Sequence, residues 1–324
     1  MKVLFLGSSH NLNPWYSDVV DAAAGRWAIE LFDRGKELDP QFQSAEVVVD
    51  QGGSQGTRSM IDLAAAGGVK LWQVLGTGLD HTDVAYILEK GIPLANTPGP
   101  FSAVALAEHA IFLMLLFAKQ YASSQASIQN RILCEPMNEE LAGKTLGLIG
   151  FGASGRELAR RAKVLGLRIV AIDVAPISQA QREEYGIATF GGLEALDTVL
   201  SQSDYLSLHA PLTSKTRHMI NQAALAKMKE DAVLINVARG EIVDEDALHQ
   251  ALKAGRLRGA GIDVFSKEPV DPHHPLLQLS NVVATPHVAG VTFGTSRRRA
   301  AAVVENLERI ANRLPPLYQV TKVE

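Results

Sequence analysis

Short apolar runs alternate with amphipathic segments along the first hundred residues. The runs that predict strands are residues 2–7, 46–50, 71–75 and 92–95. Segments with helical periodicity lie between them, for example at 58–66 and 83–90. Strands that alternate with helices are typical of a parallel sheet covered by helices. This part of the chain therefore predicts an α/β layer structure.

A second and more regular α/β series follows a break at Thr97-Pro-Gly-Pro100. An apolar helix is predicted from about Ser102, whereas residues 120–142 are polar and weakly patterned. The strands predicted for the second series are residues 145–149, 168–172, 205–208, 232–236, 259–263 and 281–284. A last helix is predicted from about Thr295 to Arg313 and ends before Pro315, because proline cannot continue a helix. Two α/β domains are the simplest interpretation.

Composition adds few constraints. The 324 residues carry a net charge of −4, which gives no electrostatic reason to expect a nucleic acid or membrane partner. Cys134 is the single cysteine, so an intrachain disulfide is excluded and a cytoplasmic protein is the simplest expectation. The longest apolar segment, 103–118, is interrupted by Glu108 and His109 and is shorter than the roughly 20 residues of a membrane span.

A glycine-rich turn follows the first strand of the second series. Gly150, Gly152 and Gly155 are spaced as in a dinucleotide-binding loop, where they allow a tight turn, close approach of a pyrophosphate, and helix packing. Asp173 ends the next strand, where an acid accepts hydrogen bonds from ribose hydroxyls. It would repel a 2′-phosphate, and residues 174–177 contain no cation. We therefore predict NAD rather than NADP.

Three chemically suited side chains follow later strands of this series, namely Arg239, Glu268 and His287. Ligands of open α/β sheets bind beyond the carboxyl ends of the strands. A histidine is the usual base for a hydroxyl proton, a glutamate fixes its tautomer, and an arginine binds a carboxylate or polarises a carbonyl. Taken singly, each has a plain interpretation as a surface ion pair, a loop charge or a hydrogen-bonded loop residue. Their joint occurrence after a dinucleotide loop favours catalysis.

The sequence resembles the D-isomer-specific 2-hydroxyacid dehydrogenase family over nearly its whole length. Several motifs occur in the order typical of that family. They are Gly76-Thr-Gly78-Leu-Asp80, Ala107-Glu108, the glycine loop, His209-Ala-Pro-Leu-Thr213, Asn236-Val-Ala-Arg-Gly240, Gly261-Ile-Asp-Val264, Glu268-Pro269 and Thr285-Pro-His287.

The resemblance implies a role for each motif. His287 would be the acid/base, paired with Glu268, and Arg239 would bind and polarise the substrate. Backbone amides around Thr77 and Gly78 would hold the substrate carboxylate, with Gly76 and Asn96 beside them. Asp263 would lie near the nicotinamide carboxamide, and His209 near the cofactor, although packing is its simpler role. The expected cofactor-binding set is Gly150, Gly152, Ala153, Ser154, Gly155, Asp173, His209, Pro211, Val237, Ala238 and Asp263.

The resemblance also implies the architecture. A Rossmann-type NAD-binding domain, residues 99–290, would be inserted in a flavodoxin-like substrate domain made of 1–98 and 291–324. The helix from Ser102 would form the interface of a homodimer. No metal site is expected, because His273 and His274 lie in a proline-rich loop without further ligands. Arg297, Arg298 and Arg299 are interpreted as a solvated helix face, with the alternative that one of them reaches the cleft.

Two departures from the family pattern bear on function. Ser154 stands where the glycine loop usually has isoleucine. The stretch Asp50-Gln-Gly-Gly-Ser54 replaces an arginine common in members that act on phosphoglycerate, with Arg58 as a candidate to substitute for it.

The sequence therefore favours an NAD-dependent enzyme that interconverts a small 2-oxo acid, such as glyoxylate or hydroxypyruvate, and its D-2-hydroxy acid. The alternative enzymatic function is that of D-3-phosphoglycerate dehydrogenase. The alternative that is not enzymatic is a protein that binds and senses NAD(H). Formate oxidation is disfavoured, because formate has no hydroxyl proton to remove and the related enzymes carry glutamine where this chain has Glu268.

Overall fold

The computed structural model describes residues 1–53 and 55–322. The chain divides into two compact units, Met1–Ser102 with Val291–Glu324 (unit 1) and Ala103–Gly290 (unit 2). The elements in chain order are β1 (Lys2–Leu6), α1 (Trp15–Ala23), β2 (Ala28–Leu31), α2 (Leu38–Phe42), β3 (Val47–Gln51), α3 (Arg58–Ala66), β4 (Leu71–Leu75), α4 (Val84–Glu89), β5 (Leu94–Ala95), α5 (Ala103–Ala118), α6 (Tyr121–Gln129), β6 (Thr145–Ile149), α7 (Ala153–Val164), β7 (Arg168–Ile172), α8 (Gln179–Tyr185), β8 (Ile187–Gly191), α9 (Leu196–Gln202), β9 (Tyr205–Leu208), α10 (Gln222–Lys227), β10 (Val233–Asn236), α11 (Glu245–Lys253), β11 (Gly259–Ile262), β12 (Val282–Ala284), α12 (Phe293–Ala311) and β13 (Gln319–Val320).

Unit 1 is built on a six-stranded sheet with the order β13-β5-β4-β3-β1-β2. Only β13 is antiparallel to its neighbour, and the order of the other five strands is that of a flavodoxin-like fold. Every residue of β3 and β4 is buried, because helices cover both faces of the sheet. Met60 and Ile87 belong to the core on one face, whereas Val19 and Val303 belong to the core on the other.

Unit 2 contains a seven-stranded parallel sheet with the order β12-β11-β10-β9-β6-β7-β8. Its strand order reverses between β6 and β9, which is the switch point of a Rossmann-type sheet. α5 and α7 bury Leu113 and Leu158 in the core on one face, whereas α10 and α11 bury Leu225 and Leu248 on the other. The predicted fold class is confirmed.

The long apolar helix predicted from Ser102 is α5, and the last predicted helix is α12, which begins two residues earlier than expected. α6 was missed, because none of its side chains is buried and its sequence carries no apolar stripe. Within the described residues no single helix is both long and apolar enough to cross a membrane, although α5 and α6, joined at a 48° bend, meet the length and composition as a pair.

Candidate active site

The residues of unit 2 that were predicted to be catalytic or to bind the cofactor lie along one edge of its sheet. Because the strands are parallel, the residues that follow them meet at the carboxyl edge. Gly150 follows β6, Asp173 follows β7, His209 follows β9, Val237 to Arg239 follow β10, Asp263 follows β11, and Thr285 to His287 follow β12.

The glycine turn has the geometry that a dinucleotide requires. Gly150 has φ +95°, and a Cβ there would lie 2.6 Å from the backbone nitrogen of Ala210. A Cβ at Gly155 would lie 2.3 Å from the Gly150 carbonyl oxygen, so glycine is needed for α7 to pack against this turn. A Cβ at Gly152 would meet nothing within 4 Å. Open space is therefore left at the start of α7, where backbone amides and the helix dipole favour a pyrophosphate.

Asp173 lies beside this turn. One of its carboxylate oxygens accepts a hydrogen bond of 2.5 Å from the Phe151 amide, and the other accepts one of 2.8 Å from the Ala175 amide. The side chain is partly exposed, so its remaining lone pairs can accept from ribose hydroxyls. The residues present fit an adenine dinucleotide without a 2′-phosphate.

His209 joins the glycine loop to β9 through two hydroxyl groups. Its Nδ1 lies 3.0 Å from Oγ of Ser154, and its Nε2 lies 2.9 Å from Oγ of Ser207. Burial lowers the pKa of His209 to about 4, so the ring is neutral at physiological pH. The sequence favoured a packing role for His209, and the structure shows in addition a hydrogen bond at each of its ring nitrogens. The serine at position 154 is one of the two partners. Two residues further on, exposed Pro211 accepts a hydrogen bond from Oγ1 of Thr216.

His287 and Glu268 form a direct pair. Nδ1 of His287 lies 2.7 Å from Oε2 of Glu268, while Oε1 of Glu268 accepts a hydrogen bond from the Phe265 amide. Because a carboxylate oxygen accepts, Nδ1 is the nitrogen that carries the proton in this bond, and Nε2 is left without a share in it. The imidazole side chain is 46% exposed, which leaves it accessible for proton exchange.

Asp263 holds the loop that carries His287. The fully buried Asp263 carboxylate accepts hydrogen bonds from Oγ1 of Thr285 and from the amides of Val288 and Ala289, at 2.5, 2.9 and 2.8 Å. Its backbone carbonyl accepts the His287 amide at 2.7 Å. His287 has φ +55°, a left-handed conformation that costs free energy for a non-glycine residue. These bonds from one residue stabilise that conformation.

His109 of α5 also reaches this loop, which the sequence did not predict. Its Nε2 lies 2.9 Å from Oγ1 of Thr285 and 3.6 Å from Oδ1 of Asp263. Burial lowers the pKa of His109, opposed by the charge of Asp263. The sequence offered one signal, since a histidine interrupts an otherwise apolar helix there.

Arg239 is the third residue after the end of β10 and is partly buried. The Asn236 side chain shapes the turn, because its amide group donates to the Arg239 carbonyl at 2.9 Å and its oxygen accepts the Ala238 amide at 3.1 Å. A Cβ at Gly240 would lie 1.9 Å from the backbone carbon of Phe265. The backbone after Arg239 therefore packs directly against the segment that leads to Glu268. Val237 and Ala238 are buried.

In unit 1, the predicted substrate residues follow two neighbouring strands. Gly76, Thr77 and Gly78 come after β4, and Asn96 comes after β5. The Asn96 side chain donates to the Thr77 carbonyl at 2.9 Å, and Oγ1 of Thr77 donates to the Thr97 carbonyl at 3.0 Å. The loop is thus fixed by its own unit. Among the described residues, no acceptor takes the backbone amides of Thr77 and Gly78.

Comparison with known proteins identifies the family. The sequence model of "D-isomer specific 2-hydroxyacid dehydrogenase, NAD binding domain" matches residues 111–289. The chain belongs to this family. The predictions of an NAD-dependent D-2-hydroxyacid dehydrogenase and of NAD as the cofactor are thereby confirmed at the level of the family. In the described residues, no group of three or more His, Cys, Asp or Glu side chains is placed to hold a metal ion.

Individual relatives carry several activities in their names. A hydroxypyruvate reductase of Thermotoga maritima is 39% identical over 275 residues, which cover 84% of this chain and 86% of that protein. A D-3-phosphoglycerate dehydrogenase of Archaeoglobus fulgidus is 37% identical over a match that covers 78% of this chain. The same match covers 47% of that longer protein. The crystal structure of a D-lactate dehydrogenase from Aquifex aeolicus, complexed with NAD and lactic acid, superimposes with a TM-score of 0.82 at 26% identity and covers 99% of this chain and 100% of that one.

Proposed function

We propose that the enzyme reduces a small 2-oxo acid to its D-2-hydroxy acid with NADH, and that His287 donates the proton. The observation that carries the proposal is the 2.7 Å pair between His287 and Glu268 at the carboxyl edge of the sheet. A general acid needs a protonated ring nitrogen that faces the substrate and a partner that stabilises the imidazolium form. The Glu268 carboxylate is that partner, and because it holds Nδ1, Nε2 is the nitrogen that would carry the transferred proton in the imidazolium form.

The other side chains have complementary roles in this reaction. When bound, NADH supplies the hydride that reaches the carbonyl carbon. Nε2 of His287 donates its proton to the oxygen as negative charge develops there, and Glu268 stabilises the cation before that transfer. The guanidinium of Arg239 polarises the carbonyl and binds the carboxylate. The amides of Thr77 and Gly78 bind the carboxylate as well. Asp263 keeps His287 in its left-handed conformation.

The cofactor site is expected to prefer NADH to NADPH. Gly150, Gly152, Ala153, Ser154 and Gly155 would hold the pyrophosphate, and Asp173 would accept from both ribose hydroxyls. Pro211, Val237, Ala238 and Asp263 follow β9, β10 and β11 on the other side of the switch point, where they would contact the nicotinamide half of the cofactor.

Glyoxylate and hydroxypyruvate are the proposed substrates. A substrate with a phosphate group would need a cation near the end of β3. There, the buried Asp50 carboxylate accepts the amides of Gln55 and Gly56 at 3.1 Å each. Arg58, the cation weighed for this role, is paired with Asp83 at 2.7 Å. Both observations favour the small acids over phosphohydroxypyruvate.

A homodimer is proposed as the working assembly. Large apolar side chains are exposed at and after α6, with Ile128, Leu133 and Met137 at 69%, 87% and 87% exposure. Large apolar side chains exposed to this degree favour an interface with a second copy of the chain. Sedimentation equilibrium would give twice the chain mass of 34.9 kDa if the proposal holds, and a single chain mass would refute it.

The activity is tested by NADH consumption with glyoxylate, hydroxypyruvate, pyruvate and phosphohydroxypyruvate, each repeated with NADPH. The proposal predicts turnover of the small acids and a clear preference for NADH. Higher kcat/KM for phosphohydroxypyruvate would favour the phosphoglycerate dehydrogenase alternative. Tight NADH binding without turnover of any of the acids would favour a NAD(H)-sensing protein.

A further inference from the structure

Arg299 of α12 is partly buried beside the loop that follows β4. One of its terminal nitrogens, Nη2, donates to Oγ1 of Thr77 at 3.2 Å, and its guanidinium carbon lies 5.6 Å from the ring centroid of Trp15. The three consecutive arginines 297–299 were interpreted as a solvated face. The exposed Arg297 fits a solvated face, whereas α12 turns Arg299 towards the core of unit 1.

The positive charge of Arg299 has no counter-charge within residues 1–53 and 55–322. No carboxylate among the described residues forms an ion pair with it, and its Nε is buried without a hydrogen-bond partner. Burial, with the charge of Arg298 added, lowers the pKa of Arg299 to about 10, so the group stays protonated at physiological pH. A buried guanidinium without an anion is costly, and functional sites are where such costs are tolerated.

The charge lies at a place suited to bind an anion. Thr77, which Arg299 contacts, is exposed, and the amides of Thr77 and Gly78 have no protein acceptor in the described part of the chain. Two free amides and one guanidinium thus meet at a single loop. A carboxylate has two oxygens and about four lone-pair positions, which match these donors.

We propose that Arg299 is a second anion-binding residue of the substrate loop and that its guanidinium binds the carboxylate of a 2-oxo acid held at Thr77 and Gly78. The inference rests on the proposed function, because that function places the carboxylate at this loop. Arg299 then adds to this loop the positive charge that selects an acid over an aldehyde or a ketone.

The test compares Arg299→Met with Arg297→Met, which removes the same charge from an exposed position of the same helix. Steady-state kinetics with NADH should show the KM for the 2-oxo acid raised about 10- to 100-fold in Arg299→Met, with kcat changed less than about threefold. Arg297→Met should match the wild type. Arg299→Lys keeps the charge without the planar fork and should give an intermediate KM. Because the NADH-binding unit contains neither residue, the Kd for NADH should stay unchanged in all three variants.

Thr77→Val separates ligand binding from a purely structural role. It removes the hydroxyl that Arg299 contacts and leaves the backbone amides and the charge. If Arg299 only steadies the loop, Thr77→Val should raise KM as much as Arg299→Met, and that result would overturn the proposal. If Arg299 binds the anion, the increase in Thr77→Val should be clearly smaller. A KM in Arg299→Met equal to that of Arg297→Met would also overturn it.

Oxalate titration without cofactor tests the site independently of turnover. All three tryptophans, Trp15, Trp27 and Trp72, lie in unit 1, and Trp15 stacks near Arg299. Intrinsic fluorescence should therefore change saturably with oxalate in the wild type and Arg297→Met, but not in Arg299→Met, at constant ionic strength. If no 2-oxo acid is turned over and this pattern still appears, the proposed function fails while the anion site stands. A saturable change in Arg299→Met equal to that of the wild type refutes the anion site. Should Arg299→Met fail to fold, Arg299→Lys takes its place in the test. An oxalate affinity and a KM in Arg299→Lys equal to those of the wild type would refute the proposed contact between the guanidinium and the carboxylate.

Discussion

Nδ1 of His287 lies 2.7 Å from Oε2 of Glu268, and the other oxygen of Glu268 accepts the Phe265 amide. The carboxylate is therefore held on both sides. Glu268→Gln keeps an oxygen for the ring nitrogen but removes the charge that stabilises an imidazolium. We expect kcat/KM for the 2-oxo acid to fall about 10- to 100-fold, measured by NADH consumption. The exposed Glu230→Gln is the matched control and should leave the rate unchanged. Equal rates in the two variants would contradict the role of Glu268.

Thr285 connects the loop that carries His287 to α5, since its hydroxyl donates to Asp263 and meets Nε2 of His109. Thr285→Val removes one hydrogen-bond partner from the buried Asp263 carboxylate and one from Nε2 of His109. We expect unfolding free energy to fall by about 1–3 kcal/mol and kcat to fall as His287 loses its fixed position. Thr285→Ser restores the hydroxyl and should recover both. Chemical denaturation and steady-state kinetics check this, and a Ser variant as impaired as the Val variant would show that the methyl group matters instead.

The charge of Asp173 is expected to set the cofactor preference. Asp173→Asn keeps an oxygen for the Phe151 or Ala175 amide while it removes the repulsion of a 2′-phosphate. The ratio of kcat/KM for NADPH to that for NADH should rise about tenfold or more. The measurement is a pair of saturation curves at one fixed concentration of 2-oxo acid. An unchanged ratio would mean that the preference, if present, originates elsewhere.

Asp50 should make the stability of unit 1 depend on pH. Burial raises its pKa to about 6 from the ordinary 3.8, so the folded state keeps this proton at pH values where the unfolded chain has lost it. Its contribution to stability is therefore complete below pH 3.8 and is lost as pH rises through 6. The difference between the two pKa values corresponds to about 3 kcal/mol.

Asp50→Asn lacks this titration. Urea unfolding followed by tryptophan fluorescence reports unit 1, because all three tryptophans lie there. Between pH 4 and 7 the wild type should lose stability relative to Asp50→Asn. His209 of unit 2 has the opposite sign, since burial lowers its pKa and its contribution to stability is lost as pH falls from 6.5 towards 4. Parallel curves for wild type and Asp50→Asn would contradict the raised pKa of Asp50.

The sequence predicted those parts of the molecule whose physical causes are local. β6, β7 and β9 are buried on both faces of a parallel sheet, so each appears as a continuous apolar run, and their predicted bounds at 145–149, 168–172 and 205–208 equal the observed ones. The glycine turn was recognisable because its backbone requirements lie within six residues. α6 was not recognisable, because a helix with no buried side chain has no periodic pattern.

Features built by contacts distant in sequence were missed or misread. Arg299 contacts Thr77 across 222 residues, so nothing near position 299 distinguishes it from its two neighbouring arginines. His109 meets Thr285 across 176 residues, and only its place in an apolar helix set it apart. The mutual placement of Arg239, Glu268 and His287 was inferred from strand ends, whereas the role of Asp263 in holding the His287 loop became visible only in the structure.

The central claim is that His287 is the proton donor, and the rate of His287→Ala tests it most directly. With saturating NADH and the best 2-oxo acid from the substrate panel, kcat should fall at least about 100-fold, the contribution expected of a general acid. The Kd for NADH, measured by nicotinamide fluorescence on the same sample, should stay near that of the wild type. A kcat within about threefold of the wild type would contradict the account, because another group would then have to supply the proton.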